Sequence, residues 1–213
     1  MLALACVAAL ALCSCHDGVQ KSYWDNGNLK SELRYAGDQL DGECVWYYNN
    51  GKPMTQANYK DGEVEGHLMR WHVNGALERD CWYKHGQLDS VYRQYDEKGR
   101  LVEEKHYADG KLEGEARKWF DNGQLFQEGT YSDDMMDGAW YIYYPSGALA
   151  AKADYVKGTG KQVCYDETGY KCLEVHYKDN LKNGKEIYYS SNGTVIRIVE
   201  YEASEVVSDN INP

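Results

Sequence analysis

Eight glycines recur along this chain at an almost constant interval, and this regularity limits the folds that the chain can adopt. The interval is 24 residues at every step but one, which is 22, and the glycines are Gly27, Gly51, Gly75, Gly99, Gly123, Gly147, Gly169 and Gly193. A tyrosine follows each of them by eight residues, from Tyr35 to Tyr201. Two residue types in register over most of the chain indicate a tandem repeat, in which each unit contacts mainly its neighbours.

These eight residues, the loop glycines, each end a short turn sequence such as Asp121-Asn122-Gly123 or Asp25-Asn26-Gly27. Asp and Asn tolerate turn conformations, and glycine adopts positive φ without steric cost. A three-residue loop that ends in glycine is typical of a β-hairpin built on a type I turn with a bulge at the glycine. Each repeat is therefore predicted to be a β-hairpin.

The loop predicts which residues of the two strands face each other. The residue four before each loop glycine pairs with the residue two after it, which is leucine in five of the eight units. The first position is aromatic in all eight units, and we call this set the aromatic stripe: Tyr23, Tyr47, Trp71, Tyr95, Trp119, Tyr143, Tyr165 and Tyr189.

Side chains alternate between the two sides of a strand, so the stripe, its leucine partners and the repeated tyrosines are predicted to share one packed side. Charged residues such as Glu32, Arg34, Asp80 and Glu104 are predicted to lie on the opposite, solvated side. Two interpretations of the stripe remain open at this point. It is the structural spine of the array, or it is a binding surface for a peptide, a glycan or a second copy of the chain.

A second turn, such as Asp61-Gly62 or Asp109-Gly110, joins consecutive hairpins. The fold class that follows is all-β, an elongated single-layer antiparallel meander of about eight tandem hairpins, or about sixteen strands, over residues 23–201. Two residues are missing between Tyr155 and Gly169, which predicts a tightened turn between those hairpins. Residues 202–213 leave the pattern and are predicted to form a tail or a polar cap.

The first fourteen residues, MLALACVAALALCS, are apolar and too few to span a bilayer. They fit the apolar region of a secretory signal peptide, although no Lys or Arg precedes it. Leu12-Cys13-Ser14-Cys15 resembles a bacterial lipobox, which implies cleavage before Cys15 and lipidation of its sulfur. A generic signal peptide with a chance cysteine is the alternative. Residues 15–22 are then a linker, and the protein is expected in the bacterial cell envelope as a membrane-anchored lipoprotein.

The repeated pattern resembles the MORN repeat in its bacterial variant form. The clearest copies are residues 59–77 and 107–125, and the resemblance covers about residues 23–201. It implies an array of β-hairpins that serves as an interaction or membrane-proximal scaffold. Phosphoinositide binding is proposed for some members, and bacterial variants often carry an antitoxin-like description.

Two cysteines, Cys164 and Cys172, fall on neighbouring strands of the seventh hairpin, where the register predicts that they lie directly opposite each other on the solvated side. Opposed residues are close enough for a disulfide after small adjustments. Two free thiols are the alternative, and a zinc site that adds His176 is a weaker one because the spacing is not a known ligand pattern. Cys44 is predicted on the solvated side and Cys81 on the packed side.

The sequence contains no catalytic motif, phosphate-binding loop or dinucleotide fingerprint, and its histidines recur at no fixed offset. A single-layer sheet offers no deep pocket to shift a pKa. We therefore expect no enzyme activity, no cofactor and no metal. The net charge of −11 disfavours nucleic acid and anionic membrane surfaces as partners.

The leading hypothesis is a non-catalytic, lipid-anchored envelope protein whose repeat array is a scaffold for an unidentified protein partner. A module that itself contacts membrane lipid is a second hypothesis. A toxin-neutralising antitoxin or immunity-like protein is a third. Self-association also remains open, because a meander leaves unpaired strand edges at its ends.

Overall fold

The computed structural model describes residues 17–211, which form one open antiparallel sheet without helices. Its strands in chain order are β1 (Gly18–Tyr23), β2 (Leu29–Ala36), β3 (Gln39–Leu40), β4 (Gly42–Tyr47), β5 (Pro53–Lys60), β6 (Glu63–Trp71), β7 (Leu77–Lys84), β8 (Gln87–Tyr95), β9 (Leu101–Ala108), β10 (Lys111–Trp119), β11 (Leu125–Ser132), β12 (Met135–Tyr143), β13 (Leu149–Val156), β14 (Thr159–Tyr165), β15 (Lys171–Lys178), β16 (Leu181–Tyr189), β17 (Val195–Glu202) and β18 (Glu205–Ile211). Consecutive strands pair along the sheet, except that β3 and β4 both pair with β2. The predicted all-β meander of tandem hairpins is confirmed.

The hairpin loops have the predicted conformation. In the first unit the amide of Gly27 donates to the carbonyl of Trp24 at 2.9 Å, and the amide of Trp24 donates to the carbonyl of Asn28 at 2.8 Å. The same two bonds recur in all eight units, and every loop glycine has φ between 78° and 95°. Each residue of the aromatic stripe pairs with the residue two after its loop glycine, from Tyr23 with Leu29 to Tyr189 with Val195. The predicted register next to the loop is correct.

An extra residue just beyond this pair changes which side chains lie on each face of the sheet. In the first hairpin Tyr23 pairs with Leu29 but Ser22 pairs with Ser31, so that Lys30 is an unpaired bulge residue. A bulge occurs at the same place in all eight hairpins, three residues after each loop glycine. Because it interrupts the alternation of side chains, residues on its two sides exchange faces.

The prediction that the aromatic stripe shares a packed side with the repeated tyrosines is therefore wrong. Tyr155, a repeated tyrosine, packs with Ala116, Trp140 and Ala153 in the core cluster. Tyr143, a member of the stripe, lies on the other face, where its hydroxyl hydrogen-bonds to the carboxylate of Glu128 at 2.9 Å. The stripe lies on the face that also carries the alternating charges, which we call the charged face. The opposite face, with the repeated tyrosines, is the packed face.

The packed face holds the buried side chains of the sheet. Small residues predominate among them, and the buried apolar set is Cys44, Ala57, Cys81, Ala116, Trp140, Ala151, Ala153, Tyr155, Val175 and Val199. Aromatic rings of neighbouring strands and units meet edge to face over these small residues, as for Tyr131 and Trp140 at 4.9 Å and Tyr155 and Tyr177 at 5.8 Å. Such pairs add to the stabilisation from burial alone. The prediction that Cys44 lies on the solvated side is wrong, because the bulge places it opposite Ala57 on the packed face.

Repeated hydrogen bonds join neighbouring units at both ends of the strands, where the chain reverses direction. At the loop side, amide groups of Asn26, Asn50, Asn74 and Asn122 donate to a carbonyl of the next loop at 2.7 to 3.2 Å. At the other side, acidic side chains 20 residues earlier accept the first amide of six of the eight turns, as Asp17 does from Gly37 and Glu65 from His85, both at 2.7 Å. Each unit thus satisfies the backbone of the next one, as repeat arrays require.

Seven of the turns that join hairpins have two residues with positive φ, the type I′ geometry that suits two-residue hairpins. Lys157-Gly158, in the shortened unit, is one of them, with φ values of 46° and 72°. The predicted tightened turn is therefore wrong. The two missing residues remove a strand bulge instead, because β13 and β14 pair without any break in register.

The array extends beyond the predicted limits of residues 23–201 at both ends. β1 begins at Gly18, inside the segment predicted as a linker. At the other end, β18 pairs with β17 from Glu205 to Ile211, after a turn at Ala203-Ser204. The predicted tail thus forms a further strand of the sheet. The predicted signal peptide and the predicted lipidation site, Cys15, lie outside the described residues.

Candidate binding surface

The charged face is covered by ion pairs between facing strands. Lys21 and Glu32 lie 3.3 Å apart, Arg93 and Glu104 2.6 Å, and Lys161 and Glu174 3.3 Å. The carboxylate of Glu104 raises the pKa of the Arg93 guanidinium through a direct hydrogen bond. These pairs are partly exposed, so each contributes little to stability. Their effect is to keep most of this face polar and internally neutralised.

The aromatic stripe runs through these charges. Tyr23 is 60 % exposed, and the other seven members are partly buried. Lysines lie over two of the rings, with Lys152 5.8 Å from the ring centre of Tyr165 and Lys171 3.8 Å from that of Tyr189. Burial, followed by the neighbouring carboxylate of Glu32, raises the pKa of Tyr47. The stripe is therefore a line of partly exposed aromatic rings among charged side chains.

The sixth unit interrupts the pattern of ion pairs. It carries Tyr141 six residues before its loop glycine, where three units have Lys21, Arg93 or Arg117 and the other four have Val45, Met69, Val163 or Ile187, and Tyr141 is 38 % exposed. The rings of Tyr141 and Tyr143 lie 6.5 Å apart at 27°. Across the strand, Lys152 and Asp154 are exposed, and neither has an ion-pair partner among residues 17–211. An apolar centre and two unpaired charges of opposite sign therefore lie together here.

Two shallow depressions flank the ring of Tyr141. One, of about 310 Å³, is lined by Lys152, Asp154 and Lys161. The other, of about 240 Å³, is lined by Glu115, Arg117 and Glu128. Both exist because Ala139, which lines each of them, is too small to fill the space beside the tyrosine. We call Tyr141, Tyr143, Ala139, Lys152 and Asp154 the tyrosine patch.

Sequence reasoning placed the stripe correctly along the strands but missed the tyrosine patch. A signal was present, because the position six before each loop glycine is charged in some units and tyrosine only at Tyr141. Alternation along β12 places this position beside Tyr143 of the stripe, but the sequence pattern alone gave it no role.

The cysteines of the seventh hairpin lie on the packed face and not on the solvated side as predicted. Cys164 pairs with Leu173, and Cys172 is the bulge residue next to it. Both are free and half-buried. His176 lies on the charged face, 3.9 Å from Glu174, so the trio considered for zinc is divided between the two faces. No group of three potential metal ligands occurs within residues 17–211.

Cys44 and Cys81 are buried in different units. Burial raises the pKa of both thiols, to about 11 for Cys81. Raised pKa values in an apolar environment are typical of unreactive structural cysteines. Residues 17–211 also contain no helix that is long and apolar enough to cross a membrane.

Comparison with known families supports the repeat assignment. A family model described as MORN repeat variant matches residues 17–36, 40–61, 112–133, 136–157 and 182–203, which is just over half of the chain. No curated protein matches the chain.

Solved structures with detectable similarity belong to much larger proteins. The crystal structure of TcdB2-TccC3 is 12 % identical over 92 % of this chain, with a TM-score of 0.22. The structure of the Photorhabdus luminescens Tc holotoxin pore gives 12 % identity and the same TM-score. This chain covers 15 % of the length of either structure. Such TM-scores are too low to establish a common architecture.

Proposed function

Because the chain belongs to the MORN repeat variant family, we propose that it is a non-catalytic scaffold whose charged face binds another protein. The family supports a repeat scaffold. The charged face is favoured as the contact surface because it combines exposed aromatic rings with a polar surround. The packed face is occupied by its own aromatic pairs.

The tyrosine patch is the observation that carries this proposal. Protein interfaces concentrate their binding energy in tyrosine, tryptophan and arginine side chains near the centre of the contact. A polar rim normally surrounds such a centre. Tyr141 and Tyr143 form an apolar centre of this kind, and the ion pairs of Arg117 and Lys161 lie around it.

The two unpaired charges of the patch add specificity to this proposal. Lys152 and Asp154 lie on the same strand and face, two residues apart, and both are exposed. A partner that presents one carboxylate and one cationic group beside an apolar side chain complements them. Complementary charge at the rim mainly raises the association rate and excludes wrong partners.

Site-specific photo-crosslinking tests the proposed surface. A benzoylphenylalanine at position 141 is expected to yield a discrete crosslinked species in native cells. The matched control is the same substitution at Tyr170, which is 59 % exposed but lies in a hairpin loop. Equal crosslinking at both positions, or none at position 141, would contradict the proposal. Lys152→Glu is expected to weaken the crosslink from position 141.

We further propose that the scaffold is held at the bacterial cell envelope by a lipid on Cys15. The support is the apolar segment of residues 1–14 followed by the lipobox-like Leu12-Cys13-Ser14-Cys15. Labelling with a palmitate analogue is expected to mark the native chain and to spare a Cys15→Ala variant. Labelling of both chains, or of neither, would contradict the anchor without affecting the proposed binding surface.

A further inference from the structure

The bulge in the seventh hairpin keeps Cys164 and Cys172 close together, as the sequence predicts, but moves both of them to the packed face. In a β-bulge two residues of one strand oppose a single residue of the other. Here Cys172 and Leu173 of β15 both oppose Cys164 of β14. Opposed residues of antiparallel strands have α-carbons about 4.5 to 5.5 Å apart, within the range that disulfides span.

Both thiols lie on the packed face. The Cys164 sulfur accepts a hydrogen bond from the Gln162 side chain at 3.3 Å. Burial raises the pKa of Tyr144, and the thiols of Cys172 and Cys164 are among the nearby groups that raise it further. The hydroxyl of Tyr144 donates to the carbonyl of Tyr165 at 2.8 Å, at the end of β14. The two cysteines therefore lie at adjoining positions of neighbouring strands, near the Tyr144 side chain.

We propose that Cys164 and Cys172 form a reversible disulfide that closes the seventh hairpin. β14 pairs with β13 without the bulge that other units carry at this junction, so the linked hairpin would continue an uninterrupted ladder from the sixth unit. A covalent link across β14 and β15 restricts the unfolded chain and holds this hairpin closed.

The oxidant in the proposed step is a small disulfide such as oxidised glutathione. The thiolate of Cys172 attacks one glutathione sulfur, forms a mixed disulfide and displaces a glutathione thiolate. The thiolate of Cys164 then attacks the Cys172 sulfur and releases the second glutathione thiolate. The two cysteines lose two electrons and two protons, and the glutathione disulfide becomes two glutathione molecules.

The remaining described cysteines provide an internal control. Cys44 and Cys81 are fully buried, and they belong to different units. Burial also raises the pKa of Cys164 and Cys172, so their oxidation is expected to be slow at neutral pH and faster at pH 8 to 9. Oxidation is therefore expected to be selective for this pair.

Peptide mapping of the full chain after incubation in a glutathione redox buffer tests the proposal. Trypsin cleaves after Lys171, between the two cysteines, so the disulfide joins residues 162–171 to residues 172–178. The linked pair is expected to predominate after oxidation, to disappear on reduction and to be absent from Cys164→Ser and Cys172→Ser. Cys81→Ser is expected to leave it unchanged. Alkylation of both cysteines in the folded, oxidised chain would overturn the proposal.

A second readout does not depend on how the variants fold. The native chain is expected to unfold a few degrees higher in oxidised than in reduced buffer. An unchanged midpoint despite a complete Cys164–Cys172 link would overturn the stabilising role, and a link that instead joins Cys44 or Cys81 would overturn the selectivity.

Discussion

The indole ring of Trp140 lies directly against the α-carbon of Gly129, in the place that a larger residue's side chain would occupy. Gly129 belongs to β11 and Trp140 to β12, and the indole nitrogen donates to the carbonyl of Thr130 at 3.0 Å. Trp140 is 4 % exposed, and Ala116, Ala153 and Tyr155 complete the cluster around it. The absence of a side chain at position 129 therefore allows the largest buried residue of the array to fit.

Gly129→Ala is expected to destabilise the protein by about 1–3 kcal/mol, because the added methyl group must displace the indole ring. Chemical denaturation followed by tryptophan fluorescence measures this change. The Trp140→Ala background supplies the control, since the methyl group then has free space and the second substitution should cost little. A Gly129→Ala penalty that is equal in both backgrounds would show that the ring is not the cause.

Gly123→Ala is expected to cost about 1–2 kcal/mol for a different reason. No atom lies within 4 Å of the place where its β-carbon would be, but φ at this position is +83°. The penalty is therefore conformational. Gly123→Asn is the control, since asparagine tolerates positive φ and should cost less in thermal unfolding. Equal penalties for alanine and asparagine would contradict a conformational origin.

Asn74→Ala is expected to cost more than Asn192→Ala by about 1 kcal/mol, the usual net contribution of one hydrogen bond. Asn74 accepts a bond from Ala76 within its loop and donates to the Glu97 carbonyl of the next loop at 2.7 Å. Asn192 accepts the equivalent loop bond from Thr194 at 3.0 Å and a second one from the Ser190 hydroxyl at 2.6 Å, and its amide nitrogen has no partner among residues 17–211. Both substitutions are therefore compared in a Ser190→Ala background, in which Asn192 keeps only the loop bond. Equal losses in urea denaturation would show that the link between loops contributes nothing.

Asp96 is expected to give the array a pH-dependent contribution to stability. Hydrogen bonds from the Arg100 side chain and backbone, and from the Lys98 backbone, lower its pKa to about 2 from the usual 3.8. Because the folded pKa is depressed, this contribution is complete above about pH 4 and is lost as the pH falls toward 2. Unfolding midpoints at pH 5 and pH 2.5 should therefore differ less in Asp96→Asn than in the native chain.

Glu97→Gln is the control for the change of charge in the same loop, since the Glu97 side chain has no hydrogen bond among the described residues. It should leave the difference between the two pH values as it is in the native chain. A decrease as large as that of Asp96→Asn would point to the general loss of negative charge.

The local structure was predictable because it depends on residues close together in sequence. A glycine with positive φ after Asp-Asn or a similar pair determines the loop conformation by itself. The loop then determines the first cross-strand pair, so that Tyr23 and Leu29 are opposed as expected. The same local chemistry applies in all eight units, which is why the predicted pair next to the loop is found in every hairpin.

The face of the sheet on which each side chain lies was not predictable by the same reasoning. The bulge three residues after each loop glycine is occupied by Lys30, Met54, Glu78, Val102, Phe126, Ala150, Cys172 and Ile196. These residues share no size, charge or backbone preference. The bulge is therefore a property of how strands pair, and it moved the aromatic stripe, Cys44 and the Cys164–Cys172 pair to unexpected faces.

A second periodic signal was present in the sequence and was overlooked. Asp17, Asp41, Glu65, Asp89, Glu113 and Asp137 recur every 24 residues, and each accepts a backbone amide of the next turn. The structure shows that part of the acidic character of the chain has a defined role in joining units.

The bulge that moves the stripe away from the core has a consequence for how such a chain changes over generations. Substitutions at Tyr141, Lys152 or their counterparts in other units leave the tyrosines and small residues of the packed face untouched. The residues of the contact surface can therefore be substituted one unit at a time, while the residues of the packed face stay unchanged. The same separation makes this sheet a practical display framework for selecting new binders by randomising one face.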